Sequence, residues 1–147
     1  MDSWLILRGL KTLALRMKQH SFNAVKIAEW LTTQESVKEV YFIGLKNHPS
    51  SDIIERQCKG YGGMISFRVQ NAEAAKQILN NIKIIRFAES LGGVESLMTY
   101  PMRQTHAEVP EERRKALGVD ETLLRLSVGI EDVTDLINDL KQAFDNI

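Results

Sequence analysis

The chain predicts an α/β (α+β) fold: one small, open, mostly antiparallel sheet of about four to five strands, covered by helices on one face, with a long N-terminal helix. Three observations carry this. Short runs rich in β-branched and aromatic residues alternate with stretches whose apolar residues recur every three or four positions. Clusters of glycine, asparagine and serine separate the two kinds of segment at short intervals. A length of 147 residues, 44% hydrophobic and 26% charged, suffices for a single domain (1–147) with its own core.

Asp2 and Ser3 are placed to cap a helix that starts at Trp4. Trp4, Leu7, Leu10, Ala14, Met17, Ser21, Val25, Ala28 and Leu31 then follow at helical spacing. This predicts one long helix, or two that bend near Gly9 or His20-Ser21. As one piece it would run about 42 Å, longer than a small domain covers by itself. A helix of that length braces something larger, and this start reads as a cut through a bigger protein.

Residues 37–44, VKEVYFIG, predict a strand stopped by glycine. After a loop over 46–51, Ser51 or Asp52 caps a short helix running through Gln57. Gly60, Gly62 and Gly63 lead into a strand over 64–69, with Ile65, Phe67 and Val69 on one face. Asn71 opens a helix that ends near Asn80-Asn81, and residues 82–87 predict another strand. A turn at Gly92-Gly93 precedes a strand over 95–99. Pro110 followed by Glu111 and Glu112 begins a helix, with Arg113, Arg114 and Lys115 complementing its far end. The last strand, 123–128, sends Leu124, Leu126 and Val128 one way and Leu123, Arg125 and Ser127 the other. The final helix, 131–144, carries Glu131, Asp132, Asp135 and Asp139 as its predicted polar face.

Charge and composition exclude several classes of function. Nineteen basic residues balance nineteen acidic ones, so no net field draws nucleic acid or an anionic membrane. No apolar run approaches the roughly 18 residues of a spanning helix. The lone Cys58 cannot form an internal disulfide and suits a reducing, cytoplasmic compartment. His20, His48 and His106 lack metal-ligand spacing, so no metal site is expected.

Arg125 is the foremost candidate for a binding role. A guanidinium fork meets a carboxylate with two parallel hydrogen bonds, which a lysine cannot do. Residue type and position alone favour a surface strand arginine paired with an acidic neighbour.

A resemblance reverses that preference. ESLGGVES (89–96), QTHA (104–107), PEERR (110–114) and LLRLSVGIED (123–132) resemble the C-terminal domain of the pyridoxal-phosphate enzymes of cysteine and methionine metabolism. That family includes cystathionine γ-synthase, cystathionine γ- and β-lyase, O-acylhomoserine sulfhydrylase and methionine γ-lyase. LRGLKTLALRM (7–17), NHP (47–49) and KGYGGMISFRV (59–69) fall in the same order. The resemblance runs over the whole chain but only about the last third of a full-length member.

The resemblance implies the small C-terminal domain of a fold-type I enzyme. Arg125 would bind the substrate α-carboxylate. Glu89, Ser90 and Leu91 would line its pocket, with main-chain help at the carboxylate and Glu89 toward the distal end. Thr105 would shape the same pocket, with His106 a hydrogen-bonded strut rather than a general base. Pyridoxal 5'-phosphate would be held by a larger upstream domain that this chain lacks, along with its Schiff-base lysine. The chain alone would therefore be inactive. Its partners would be a sulfur amino-acid substrate, the missing domain and, in the full enzyme, further subunits of a homotetramer. Two rivals stand beside this reading: a small non-catalytic module that binds a ligand or partner, and a truncated product without an independent role. Saturable binding of an amino acid by the chain alone would favour the first.

Overall fold

The computed structural model describes residues 1–145 and 147. In chain order its elements are α1 (Asp2–Leu10), α2 (Leu13–Leu31), β1 (Val37–Tyr41), α3 (Ser51–Gln57), β2 (Met64–Val69), α4 (Ala72–Asn81), β3 (Arg86–Phe87), β4 (Leu97–Thr99), α5 (Glu111–Ala116), β5 (Leu123–Ser127) and α6 (Val133–Phe144). The five strands form one open sheet in the order β1-β2-β5-β4-β3. The pairs β1/β2, β2/β5 and β4/β5 are antiparallel, and β3/β4 is parallel.

Period-two alternation assigns the two faces. Ile65, Phe67 and Val69 from β2, Met98 from β4, and Leu124 and Leu126 from β5 are fully buried on one of them. Against this face pack Ala24, Ile27, Ala28 and Leu31 of α2, Ala74, Ala75 and Ile78 of α4, and Leu136, Leu140 and Ala143 of α6. Trp30 meets Phe144 edge-on at 5.6 Å, closing the seam between α2 and α6. α4 starts where the sequence predicts, and α6 starts at Val133 rather than Glu131, with Asp132 as its cap. α3 begins at Ser51 behind Ser50, with no side-chain cap bond from Ser51 or Asp52. Asn71 Oδ1 accepts from the Ala74 amide, and Asp132 Oδ1 accepts from Thr134 and Asp135. Among the described residues no helix is long and apolar enough to cross a membrane.

Several expectations need correction. The N-terminal helix is two helices, and the break lies at Lys11-Thr12 rather than at Gly9 or His20-Ser21. Arg16 Nη2 donates to the Gly9 carbonyl at 2.8 Å and its Nε to Thr12 Oγ1 at 3.1 Å, so side-chain donors occupy acceptors there. Neither Asp2 nor Ser3 caps α1, which begins at Asp2 behind Met1 without a side-chain cap bond. The expected apolar stripe is also displaced. α1 buries nothing, and α2 buries His20, Asn23, Ala24, Ile27, Ala28 and Leu31. Polar anchors rotate α2: His20 Nδ1 bonds the Val128 carbonyl at 2.6 Å, and Asn23 Nδ2 donates to Gly129 and Glu131 carbonyls.

Asp139 was expected on a solvated face but is buried. Its carboxylate accepts the amides of Lys83, Ile84 and Ile85 at 2.8–2.9 Å. Those amides are thereby taken from any ladder, which is why the strand expected over 82–87 shrinks to Arg86–Phe87. Glu131 likewise turns inward and accepts from the Ser96 amide and hydroxyl, so β4 begins at Leu97 rather than at Glu95. β1 stops at Tyr41, because the Leu45 amide turns back to the Phe42 carbonyl.

Candidate functional site

β5 is the central strand, and Arg125 lies in its middle on the face away from the helices. It pairs with Ser66 of β2 on one side and Thr99 of β4 on the other. Two small hydroxyl residues thus flank the guanidinium. Its Nη2 donates to Thr99 Oγ1 at 3.3 Å, and its Nε is buried with no hydrogen-bond partner. No carboxylate of the described residues pairs with it. A buried N–H left unmade costs about 1–3 kcal/mol, so an acceptor that completes it binds with that much in its favour.

The same sheet face holds a second arginine for comparison. Arg68 faces Leu123 across β2/β5 and pairs with Glu39 at 3.3 Å and with Asp120. It also donates to the Tyr41 hydroxyl at 3.0 Å and to the Gly118 carbonyl. Burial acts to lower the Arg68 pKa, but Tyr41, Asp120 and Glu39 outweigh it and the net shift is upward. Arg68 is spent on its own fold; Arg125 is not.

The segment bearing Glu89, Ser90 and Leu91 is strapped onto this face at both ends. Thr99 Oγ1 donates to the Ala88 carbonyl at 2.9 Å, and the Gly92 amide donates to Ser127 Oγ at 2.9 Å. Thr99 stands opposite Arg125, and Ser127 lies two residues along the same strand face. Gly92 has φ +78, the left-handed region that favours glycine, and this turns the chain back over the sheet. All three residues between the anchors are exposed. A cavity of about 210 Å³ borders the strap, lined mainly by Met17, His20, Met64, Leu91, Gly92 and Ser127.

Thr105 follows β4 in the chain. It is exposed in the turn between β4 and α5, and its hydroxyl bonds His106 Nδ1 at 2.8 Å. Gln104 Oε1 ties this turn to the Tyr100 amide, next to Thr99. The structure therefore brings Arg125 and residues 89–91 into one neighbourhood, and it joins Thr105 to Arg125 by no hydrogen bond. Sequence reasoning missed Thr99 and Ser66 and gave Ser127 no role. Alternating polar residues in LMT and LLRLS were visible, but only the strand register shows that Thr99 and Ser66 flank the guanidinium.

Three features of the described residues set what this chain offers pyridoxal phosphate. Every lysine is exposed, so none is held in a dry pocket for covalent attachment. Asp139, the one buried acid among the described residues, is committed to three backbone amides. Gly60–Gly63 leads into a strand and Gly92-Gly93 toward another, so neither turn opens a helix whose amides would cradle a phosphate. No cluster of three His, Cys, Asp or Glu side chains suited to a metal occurs among the described residues.

The family model described as Cys/Met metabolism PLP-dependent enzyme matches residues 1–145. A cystathionine β-lyase of Lactococcus lactis subsp. cremoris is 49% identical over 144 residues, covering 98% of this chain and 38% of the lyase. A cystathionine γ-lyase of Bacillus subtilis is also 49% identical, over 146 residues, covering 99% of this chain and 38% of that protein. The crystal structure of a cystathionine γ-synthase from Xanthomonas oryzae pv. oryzae, in complex with cystathionine, superposes with a TM-score of 0.93 at 44% identity. That match covers 98% of this chain and 38% of the synthase. The chain thus spans about 38% of the length of the curated relatives it matches. It belongs to the pyridoxal-phosphate-dependent enzymes of cysteine and methionine metabolism.

Proposed function

We propose that this chain is the substrate-carboxylate-binding part, the C-terminal domain, of a trans-sulfuration enzyme of the cystathionine γ-synthase or γ-lyase type. The enzyme makes or breaks a C–S bond of a sulfur amino acid in the cytoplasm, as a homo-oligomer. One observation carries the reading: Arg125 offers a guanidinium with no carboxylate partner and an unbonded Nε, beside a strap that exposes Glu89, Ser90 and Leu91. The cofactor, bound by the rest of the enzyme, supplies the electron withdrawal that labilises the substrate α-carbon. The work of this chain is positional. Arg125 grips the α-carboxylate, the strap closes one side of the pocket, and the bonds to be broken are held in one orientation. Fixing a reactant in this way supplies several kcal/mol of rate enhancement.

The test replaces the matching segment of the Bacillus subtilis γ-lyase by this chain and follows cystathionine turnover. Arg125→Ala should lower kcat/KM roughly a hundredfold, and Arg125→Lys should recover little, because an ammonium has no fork. A specificity constant unchanged in Arg125→Ala removes Arg125 from the site. Equal identity to a β-lyase and a γ-lyase does not divide the two eliminations. Product analysis does: cleavage at the β-carbon of cystathionine releases homocysteine, and at the γ-carbon cysteine. The chain without the remaining length is expected to be inactive toward cystathionine even with added pyridoxal phosphate.

A further inference from the structure

We propose that Thr99 is a positioning residue of the carboxylate site, setting the guanidinium of Arg125 and the 88–92 strap through a single hydroxyl. The inference rests on the reading of Arg125 given above. Thr99 is fully buried, on β4 directly opposite Arg125. Its Oγ1 has one proton and gives it to the Ala88 carbonyl at 2.9 Å. The oxygen is then an acceptor only toward Arg125, and it takes Nη2 at 3.3 Å. The direction of both bonds is therefore fixed. A carbonyl of the strap and a nitrogen of the fork are held from the same atom.

Two consequences follow for the site. A long arginine side chain loses rotamer freedom when it must hold one geometry, and a bond already made in the free protein removes part of that loss from ligand binding. The bond also leaves the Nε hydrogen unanswered, so the fork is oriented without being satisfied. Arg68 shows the contrasting arrangement, with two carboxylate partners of its own. Ser66, on the other flank, has no hydrogen bond to Arg125, which gives Thr99 the sole hold on the guanidinium among the described residues.

The experiment uses the γ-lyase carrying this chain and compares Thr99→Val, which keeps shape and loses the hydroxyl, with Thr99→Ser, which keeps the hydroxyl. The probes are L-homoserine and 3-amino-1-propanol, identical except for the carboxylate, each measured as a competitive inhibitor of cystathionine turnover. Thr99→Val should raise the inhibition constant of homoserine and the KM for cystathionine about tenfold, with little change in kcat. It should leave the constant for 3-amino-1-propanol unaltered, and Thr99→Ser should restore the first two values. In the 147-residue chain, nitrogen-15 spectra should show faster rotation of the Arg125 guanidinium in Thr99→Val. If Thr99→Val weakens both inhibitors equally, or leaves homoserine unaffected while Arg125→Ala does not, Thr99 is a packing residue and the proposal is wrong. If Arg125→Ala itself leaves homoserine inhibition unaltered, the carboxylate reading falls first.

Discussion

Asp120 shows how a single side chain reports on the charge arrangement of the sheet face. Burial alone would raise its pKa. The Thr122 hydroxyl, the Thr122 amide and the Arg68 charge outweigh burial, and the carboxyl titrates below its ordinary range. Asp132 is also lowered, by the backbone amides of Thr134 and Asp135 that it caps. For a depressed acid the unfolded state holds more protons as the pH falls, so stability rises with pH through the window. The contribution is present above the unfolded value near 3.9 and is lost as the pH drops through the folded value below it. Urea unfolding followed from about pH 5 to about pH 2.5 should show this acid limb. Asp120→Asn should flatten it, since an amide does not titrate; a slope equal to that of the wild type would show that Asp120 is not among its sources.

At the scale of elements, α6 is held to the rest of the fold through Asp139 as much as through its apolar face. Three amides converge on that carboxylate, and the Ile85 amide bonds to it in the interior. Asp139→Ala leaves buried donors unmade and should destabilise the protein by about 2–4 kcal/mol in denaturant unfolding. Asp135→Ala, on the exposed side of the same helix, should change stability by no more than about 0.5 kcal/mol. A result in which the two are equal would contradict the role given to Asp139. The same residue shows what the sequence could and could not disclose. α4 and α6 were legible because apolar spacing is a local signal, as is Asn71 at the start of α4, whereas Asp132 caps α6 instead of lying on its polar face. The extent of β3 was not, because a carboxylate more than fifty positions away takes its amides. Burial of His20 and Asn23 on α2 was hidden for a similar reason, since their partners lie in the segment after β5. Arg125 stood out from strand alternation together with the family resemblance, whereas its contact with Thr99 depends on register between strands. Register is a tertiary property, and neither strand discloses it separately.

For the whole molecule, burial divides the chain into a closed core and an apolar appendage. Every core side chain comes from α2 or later, while α1 buries nothing and leaves Trp4, Leu7 and Leu10 more than half exposed. Apolar side chains that touch no core add little to folding stability, however hydrophobic they are. Leu7→Ala should therefore alter the unfolding free energy by no more than about 0.5 kcal/mol. Leu126→Ala, on the central strand beneath three helices, should remove about 3–5 kcal/mol through lost burial and the cavity left behind. Hydrogen exchange should draw the same boundary. Amides of α1 should exchange by local opening, orders of magnitude faster than those of α2 after His20, β2 and β5, which open only with the global transition. If α1 amides were protected as well as those of β5, or Leu7→Ala were as damaging as Leu126→Ala, the N-terminal helix would have to be part of the cooperative unit. The expected division puts the sheet side of the carboxylate site inside the cooperative unit, since Arg125 and Ser127 sit on β5 and Thr99 on β4, both inner strands.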